Sequence, residues 1–246
     1  RSAGNSRAKR ASLSRNTLVG SRELAPPIRP KPRMVQSSGS STLGSAICRH
    51  FIARGDRVLC AYHMSGDQAR RLSEELGPRL RPLALDLQDP DSVRRAVESI
   101  ETLDVLVNNA AIQPPSSYKP IHEFPAELWD RMVGINFTGY SLLAKHALIQ
   151  MLKQQSGVIV NVSSVATRGV HRVPYSAAKG GVNALTASLA MENTRHGIRI
   201  NATAPGGTDA PPRRVPRNAA AAKPSRKEDD WYQGVVDQTK ASSLMH

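Results

Sequence analysis

The run Val158-Ile159-Val160-Asn161-Val162 closes in Ser163-Ser164, and eleven residues after Ser164 stands Tyr175, in Val173-Pro174-Tyr175-Ser176-Ala177-Ala178-Lys179-Gly180-Gly181. A short apolar run bounded by small polar residues and followed by a helical pattern reads as a buried strand feeding a helix. On that helix Tyr175 and Lys179 stand at i and i+4, which puts them on one face. A free tyrosine titrates near ~10 and is a poor base at neutral pH. A cation held close by favours the phenolate and brings the proton acceptor toward the working range. Ser164 is placed to hydrogen-bond the oxygen that gains or loses the proton. Taken alone the pair says little, because a surface tyrosine lying on a lysine stem has the same spacing.

The flanking sequence repeats the pattern. Further apolar runs at Val58–Tyr62, Leu83–Leu87, Val105–Val107 and Ile198–Ala202, with a weaker one at Arg33–Gln36, each precede a turn and a helical stretch. Strands alternating with helices predict an α/β protein, a doubly wound parallel sheet covered on both faces. In such sheets ligands bind outside the carboxyl ends of the strands. The suggestive residues gather at that edge: Ser38–Gly44, Tyr62, Asp86, Asn108-Asn109-Ala110-Ala111, Ser163-Ser164 and Pro205-Gly206-Gly207.

With these residues in place the chain, from about Met34 onward, resembles the short-chain dehydrogenase/reductase family of NAD(P)-dependent oxidoreductases on a Rossmann sheet. The family's Asn-Asn-Ala-Gly motif corresponds to Asn108-Asn109-Ala110-Ala111, its catalytic asparagine to Asn136, its serine to Ser164, its Tyr/Lys pair to Tyr175 and Lys179, and its Pro-Gly motif to Pro205-Gly206. The resemblance implies Ser164, Tyr175, Lys179 and Asn136 as catalytic residues. It implies Gly39, Ser41, Leu43, Gly44, Tyr62, Asp86, Asn109, Tyr175, Lys179, Pro205 and Gly206 as cofactor contacts.

The stretches Asn161 to Tyr175, Ala204 to Asn218 and Trp231 to Met245 are similar to the benzoate diol dehydrogenases, whose substrate is 1,6-dihydroxycyclohexa-2,4-diene-1-carboxylate and whose cofactor is NAD. This resemblance implies that Tyr175 takes the hydroxyl proton while hydride leaves for the nicotinamide. Lys179 would hold Tyr175 basic and bond the nicotinamide ribose, and Asn136 would anchor a water that leads protons out. The product is a β-keto acid, which loses carbon dioxide because the departing electrons enter the ketone, and aromatisation to a catechol drives the step. Such a substrate needs cationic partners, and arginine suits a bidentate grip on a carboxylate. Arg168, His171 and Arg172 lie between Ser164 and Tyr175, and Arg213, Arg214 and Arg217 follow Pro205-Gly206. Each of them is also readable as a solvated loop charge.

Two departures from the family pattern bear on the cofactor. The glycine-rich turn aligns with Ser37-Ser38-Gly39-Ser40-Ser41-Thr42-Leu43-Gly44, so Ser38 and Thr42 stand where glycines let the backbone approach a pyrophosphate. Their hydroxyls either obstruct that approach or bond phosphate, while the helix N-terminus still favours an anion. Where a carboxylate would hold the ribose of NAD, this chain has Tyr62 followed by His63, which removes the repulsion of a 2′-phosphate and admits NADP beside NAD. The expected cofactor is NAD. A general NADPH-dependent carbonyl or 3-oxoacyl reductase of the same fold, and a catalytically impaired dinucleotide-binding protein, are the alternative readings.

The 246 residues suit one doubly wound sheet at 34–246 after a basic, disordered extension at 1–33. That extension holds nine Lys/Arg against Glu23 alone, so it carries +8 of the formal +14 and leaves +6 to the rest. Such a composition buries no core, and its Arg/Ser-rich, acid-poor look is shared by organelle transit peptides. No aromatic residue interleaves its charges, so no nucleic-acid partner is expected. After His246 the resemblance implies a further helix and a seventh strand, and their lack predicts an exposed sheet edge. Cys48 and Cys60 fit packed thiols in a reduced cytoplasmic protein. No apolar run is long enough to span a membrane, and no Cys/His/Asp cluster has ligand spacing, so no metal is expected. Leu142, Leu143, Leu148 and Met151 form an apolar stripe. It is readable as a subunit-pairing face, as the resemblance implies for a dimer or tetramer, or as an ordinary sheet-facing stripe.

Overall fold

The computed structural model describes residues 33–36, 41–206 and 226–241. Six strands form one sheet in the order β3-β2-β1-β4-β5-β6: β1 (Arg33–Gln36), β2 (Arg57–Tyr62), β3 (Leu80–Ala84), β4 (Val105–Asn108), β5 (Gly157–Val162) and β6 (Ile198–Thr203). Every pairing is parallel, and the order reverses beside β1, so the carboxyl ends of β1 and β4 flank the crevice.

The helices follow from local signals. Ser41 caps α1 (Thr42–Ala53), its Oγ accepting from the Gly44 N–H at 3.1 Å. α2 (Gly66–Leu76) ends at Gly77, which has φ +80°. Asp89 caps α3 (Pro90–Glu98), with Pro90 in the first turn. A long helix then runs through α4 (Ala126–Val133), a π-helical stretch at Gly134–Thr138 and α5 (Gly139–Gln154). α6 (Val173–Asn193) carries Tyr175, and α7 (Arg226–Ala241) follows β6 in the chain.

Alternation along the central strands divides the core between the two faces. Leu106 and Ile159 join Leu143, Ala147 and Met151 of α5 on one face. Val107 and Val162 join Cys48 of α1 and Leu72 of α2 on the other. Both cysteines are fully buried and free, and the hydrogen bond that the Cys48 thiol donates to Cys60, more than burial, pushes the Cys48 thiol up. Leu143, Leu148 and Met151 are core residues and Leu142 packs beside them, so the apolar stripe of α5 serves its own sheet.

The third strand corrects the expected span of Leu83–Leu87. It runs over Leu80–Ala84, with Leu80 opposite Val58 and Ala84 opposite Tyr62. Pro82 reads as a strand breaker, yet β3 is an edge strand, where a missing N–H is tolerated. Leu85 and Leu87 are buried from the loop that follows, at 5% and 7% exposure, which explains why they mimic a strand. Asp86 therefore lies beyond the strand end, still on the carboxyl edge. Among the described residues no helix is long and apolar enough to cross a membrane.

Candidate active site

β5 ends at Val162, and the two serines after it diverge. Ser163 is buried, its N–H donating to Thr203 O at 2.7 Å and its hydroxyl to Lys179 O at 3.2 Å. Ser164 is half-buried, and its Oγ accepts from the Ala166 N–H at 3.0 Å. The first serine thus ties strand to helix, and the second closes the turn that follows β5. The half-buried Tyr175 and the buried Lys179 lie one turn apart on α6, with Lys179 Nζ 5.8 Å from the Tyr175 ring centroid. Nζ donates to Val162 O at 2.6 Å and to Tyr140 Oη at 3.3 Å. Burial lowers the Lys179 pKa to about 8, since a desolvated ammonium is disfavoured.

Asn136 sits in the π-helical stretch with no exposure. Its Oδ1 accepts from Ile112 N at 2.8 Å, and its Nδ2 donates to Ile112 O at 2.9 Å. The side chain therefore clamps the loop after β4, from a π-segment of the kind that marks functional sites. Beside it Asn108 Nδ2 donates to Asn161 Oδ1 at 2.9 Å, and Asn161 Nδ2 donates to Thr186 Oγ1 at 2.9 Å. This buried chain couples the ends of β4 and β5 to α6.

At the cofactor edge, Asn109 Nδ2 reaches Ser41 Oγ at 3.4 Å, which joins two expected contacts at the α1 N-terminus. Gly44 is buried and Leu43 exposed. Ser38 and Gly39 lie outside the described residues. A cavity of about 240 Å³ opens past the ends of β2, β3 and β4, between Tyr62, His63, Asp86, Leu87, Ala110 and Arg131. His63 Nε2 and Asp86 Oδ2 stand 3.5 Å apart at its rim, and Asp86 Oδ1 accepts from the Gln88 N–H at 2.9 Å. A largely apolar slot with polar groups at its rim has the character of a site for an adenine and its ribose. Pro205 is half-buried and Gly206 exposed after β6; the Val165 N–H donates to Pro205 O at 3.2 Å.

The expected substrate cations do not converge on one point. Arg168 is exposed. His171 takes φ +54° and lies 6.1 Å from the Trp231 ring of α7. Arg172 Nη2 donates to Gln238 Oε1 at 3.2 Å, while its buried Nε has no hydrogen-bond partner among the described residues. Arg213, Arg214 and Arg217 lie outside the described residues. α7 closes over this loop: Gln238 also accepts from the Val170 N–H at 3.1 Å, and Tyr232 meets Tyr118 edge-on at 5.1 Å.

The family model for short chain dehydrogenases matches residues 35–220. The chain belongs to that family. It is 51% identical over 153 residues to 1,6-dihydroxycyclohexa-2,4-diene-1-carboxylate dehydrogenase of Acinetobacter baylyi, covering 62% of this chain but 57% of that protein's length. It is 40% identical over 220 residues to the enzyme of the same name from Pseudomonas putida, covering 86% and 78%. A metagenomic short-chain oxidoreductase solved with NADP superposes at a TM-score of 0.67 with 27% identity, over 72% of this chain and 83% of that one.

Two buried side chains outside the expected set, Asn161 and Tyr140, also join this short-chain dehydrogenase's site region. Asn161 lies inside a strand read as apolar, and Tyr140 lies four residues after Asn136, in a helix read for its apolar stripe. The i+4 spacing to Asn136 was the one available signal for Tyr140. Among the described residues no three His, Cys, Asp or Glu side chains converge on a metal position.

Proposed function

We propose that this chain oxidises a carboxylated cyclohexadiene cis-diol, of the benzoate-diol kind, with NAD as the hydride acceptor, and that the product loses carbon dioxide to give a catechol. The observation that carries the reading is the Tyr175 and Lys179 pair on α6, with Ser164 following β5 at the carboxyl edge of the sheet, in a chain 51% identical over 153 residues to a dehydrogenase named for that substrate. Ser164 holds the secondary hydroxyl, and Tyr175 Oη takes its proton as the carbinol carbon loses hydride. The nicotinamide, when bound, supplies the hydride acceptor. Lys179 keeps a positive charge beside Tyr175, which favours the phenolate that accepts the proton. Asn136 fixes the loop after β4, and with it the floor of the crevice. The β-keto acid formed needs no further catalytic group to release carbon dioxide.

The carboxylate partner is drawn from Arg168, His171 and Arg172, with Arg213 and Arg214 as the second group. Arg172 is favoured by its buried Nε, a donor without an acceptor among the described residues. Gly39, Ser41, Leu43, Gly44, Tyr62, Asp86, Asn109, Pro205 and Gly206 are the proposed dinucleotide contacts beside Tyr175 and Lys179.

A second reading, an NADPH-dependent carbonyl or 3-oxoacyl reductase, is favoured by the cavity itself. Tyr62 ends β2 where a carboxylate would reject a 2′-phosphate, and His63 and Arg131 line the same space. The experiment that separates them offers the protein benzoate cis-diol, the same diol without its carboxylate, and a 3-oxoacyl thioester, each with NAD(H) and NADP(H). Reduced-nicotinamide formation fastest with the carboxylated diol supports the proposal. Oxidation of NADPH by the thioester, with no diol turnover, overturns it.

A further inference from the structure

Tyr140 opens the first turn of α5, is fully buried and belongs to none of the expected site residues. Its hydroxyl closes a triangle with two atoms already in the site. Lys179 Nζ donates to Val162 O at 2.6 Å and to Tyr140 Oη at 3.3 Å, and Tyr140 Oη donates to Val162 O at 3.4 Å. The ammonium also lies between two aromatic faces, 4.9 Å from the Tyr140 centroid and 5.8 Å from that of Tyr175. Those rings, the Val162 carbonyl and the Tyr140 hydroxyl are the groups of α5, α6 and β5 that face it.

We propose that Tyr140 is the positioning residue for Lys179: its hydroxyl and ring hold the ammonium on the strand that leads to Ser164 and keep it turned toward Tyr175. The inference rests on the reading of Tyr175 as base and Lys179 as its cationic partner. A lysine carries three N–H donors. The triangle engages two of them and leaves one for the Tyr175 side of the crevice.

The chemistry of the partner matters as much as its place. A buried carboxylate at this point would pair with the ammonium, cancel its charge and compete with Tyr175 for it. An apolar side chain would leave an N–H without an acceptor in a desolvated pocket. A phenol does neither. Burial first, and then the charge of Tyr175, push the Tyr140 hydroxyl well above its ordinary range, so it remains neutral and accepts from Lys179 without neutralising it. Gly139 lets α5 approach closely here, since a Cβ on it would stand 2.8 Å from Leu87 Cβ.

The test is Tyr140→Phe, which keeps the ring and removes the hydroxyl, read by the ε-carbon NMR titration of Lys179 in protein labelled at lysine and assigned with Lys179→Met. Losing an acceptor of the charged form lowers the midpoint, which lies near about 8 in the parent. A fall of about one pH unit is expected, the equivalent of one hydrogen bond to a charged group. The alkaline decline of kcat should move down with it while KM for the diol holds. Should Tyr140→Phe fail to fold, Tyr140→3-fluorotyrosine weakens the acceptor at nearly constant volume and should move the midpoint the same way by less. An unchanged midpoint in a folded variant overturns the positioning role. A shifted midpoint in a protein without diol turnover supports that role and instead overturns the proposed reaction.

Discussion

Lys179 brings the site's chemistry and its cost to stability together in one side chain. It is 1% exposed, and its pKa is lowered from 10.5 to about 8 by burial. The unfolded chain therefore holds this proton up to about 10.5, whereas the folded chain releases it near 8. Between those values the unfolded state binds more protons, so stability rises with pH through that window and is flat in this respect below it. A lowering of this size corresponds to roughly 3 kcal/mol. Urea unfolding of the parent and of Lys179→Met at pH 7 and pH 10 checks it: the parent should gain on the variant as pH rises, and parallel behaviour would contradict the buried ammonium. Catalysis runs the other way, because the charge that favours the Tyr175 phenolate is lost above about 8. Arg172 makes a second residue-scale prediction. Arg172→Ala should raise KM for the carboxylated diol by about 10-fold or more, the range of a charge-assisted hydrogen bond. Steady-state kinetics should show little change for a diol lacking the carboxylate; an equal loss on both would assign Arg172 to the loop alone.

Among the elements, the ends of β4 and β5 are pinned to α6 by side chains inside the sheet's own register. Asn108 and Asn161 are directly paired across the two strands, and Thr186 completes the chain from Asn161. Asn161→Ala leaves the Asn108 amide and the Thr186 hydroxyl short of a partner, which should cost about 1–3 kcal/mol in urea unfolding. Gly139→Ala, set against Leu87, should cost about 1–3 kcal/mol by overpacking and lower kcat by displacing Tyr140. Apolar alternation and turn residues made five of the strands legible in the sequence, as well as Ser164 after a strand and Tyr175 and Lys179 one turn apart on a helix. β3 was displaced by three residues, because Leu85 and Leu87 bury from a loop and Pro82 sits where an edge strand tolerates it. The Asn136 clamp on Ile112 and the Tyr140 triangle were not legible, since both join residues whose proximity depends on how the helix crosses the sheet. Nothing in the spacing of Arg172 and Gln238 foretold that α7 would take up the loop arginine.

For the molecule as a whole, a parallel sheet with a core on each face carries the site at its carboxyl edge, beside a loop held by one helix. Gln238 receives both the Val170 N–H and the Arg172 guanidinium, so α7 positions that loop. Gln238→Ala should therefore raise KM for the diol severalfold and leave kcat nearly unchanged, as expected when binding uniform to ground and transition states is lost. A fall in kcat with KM constant would place α7 in the chemistry instead. The central claim is that Tyr175 takes the hydroxyl proton of a carboxylated diol as its hydride departs. The measurement that tests it most directly follows catechol and reduced nicotinamide together, in the parent and in Tyr175→Phe, with circular dichroism to verify the fold. The account predicts one reduced nicotinamide per catechol in the parent and loss of both in the folded variant. Catechol formed without reduced nicotinamide, or turnover retained in Tyr175→Phe, would contradict it.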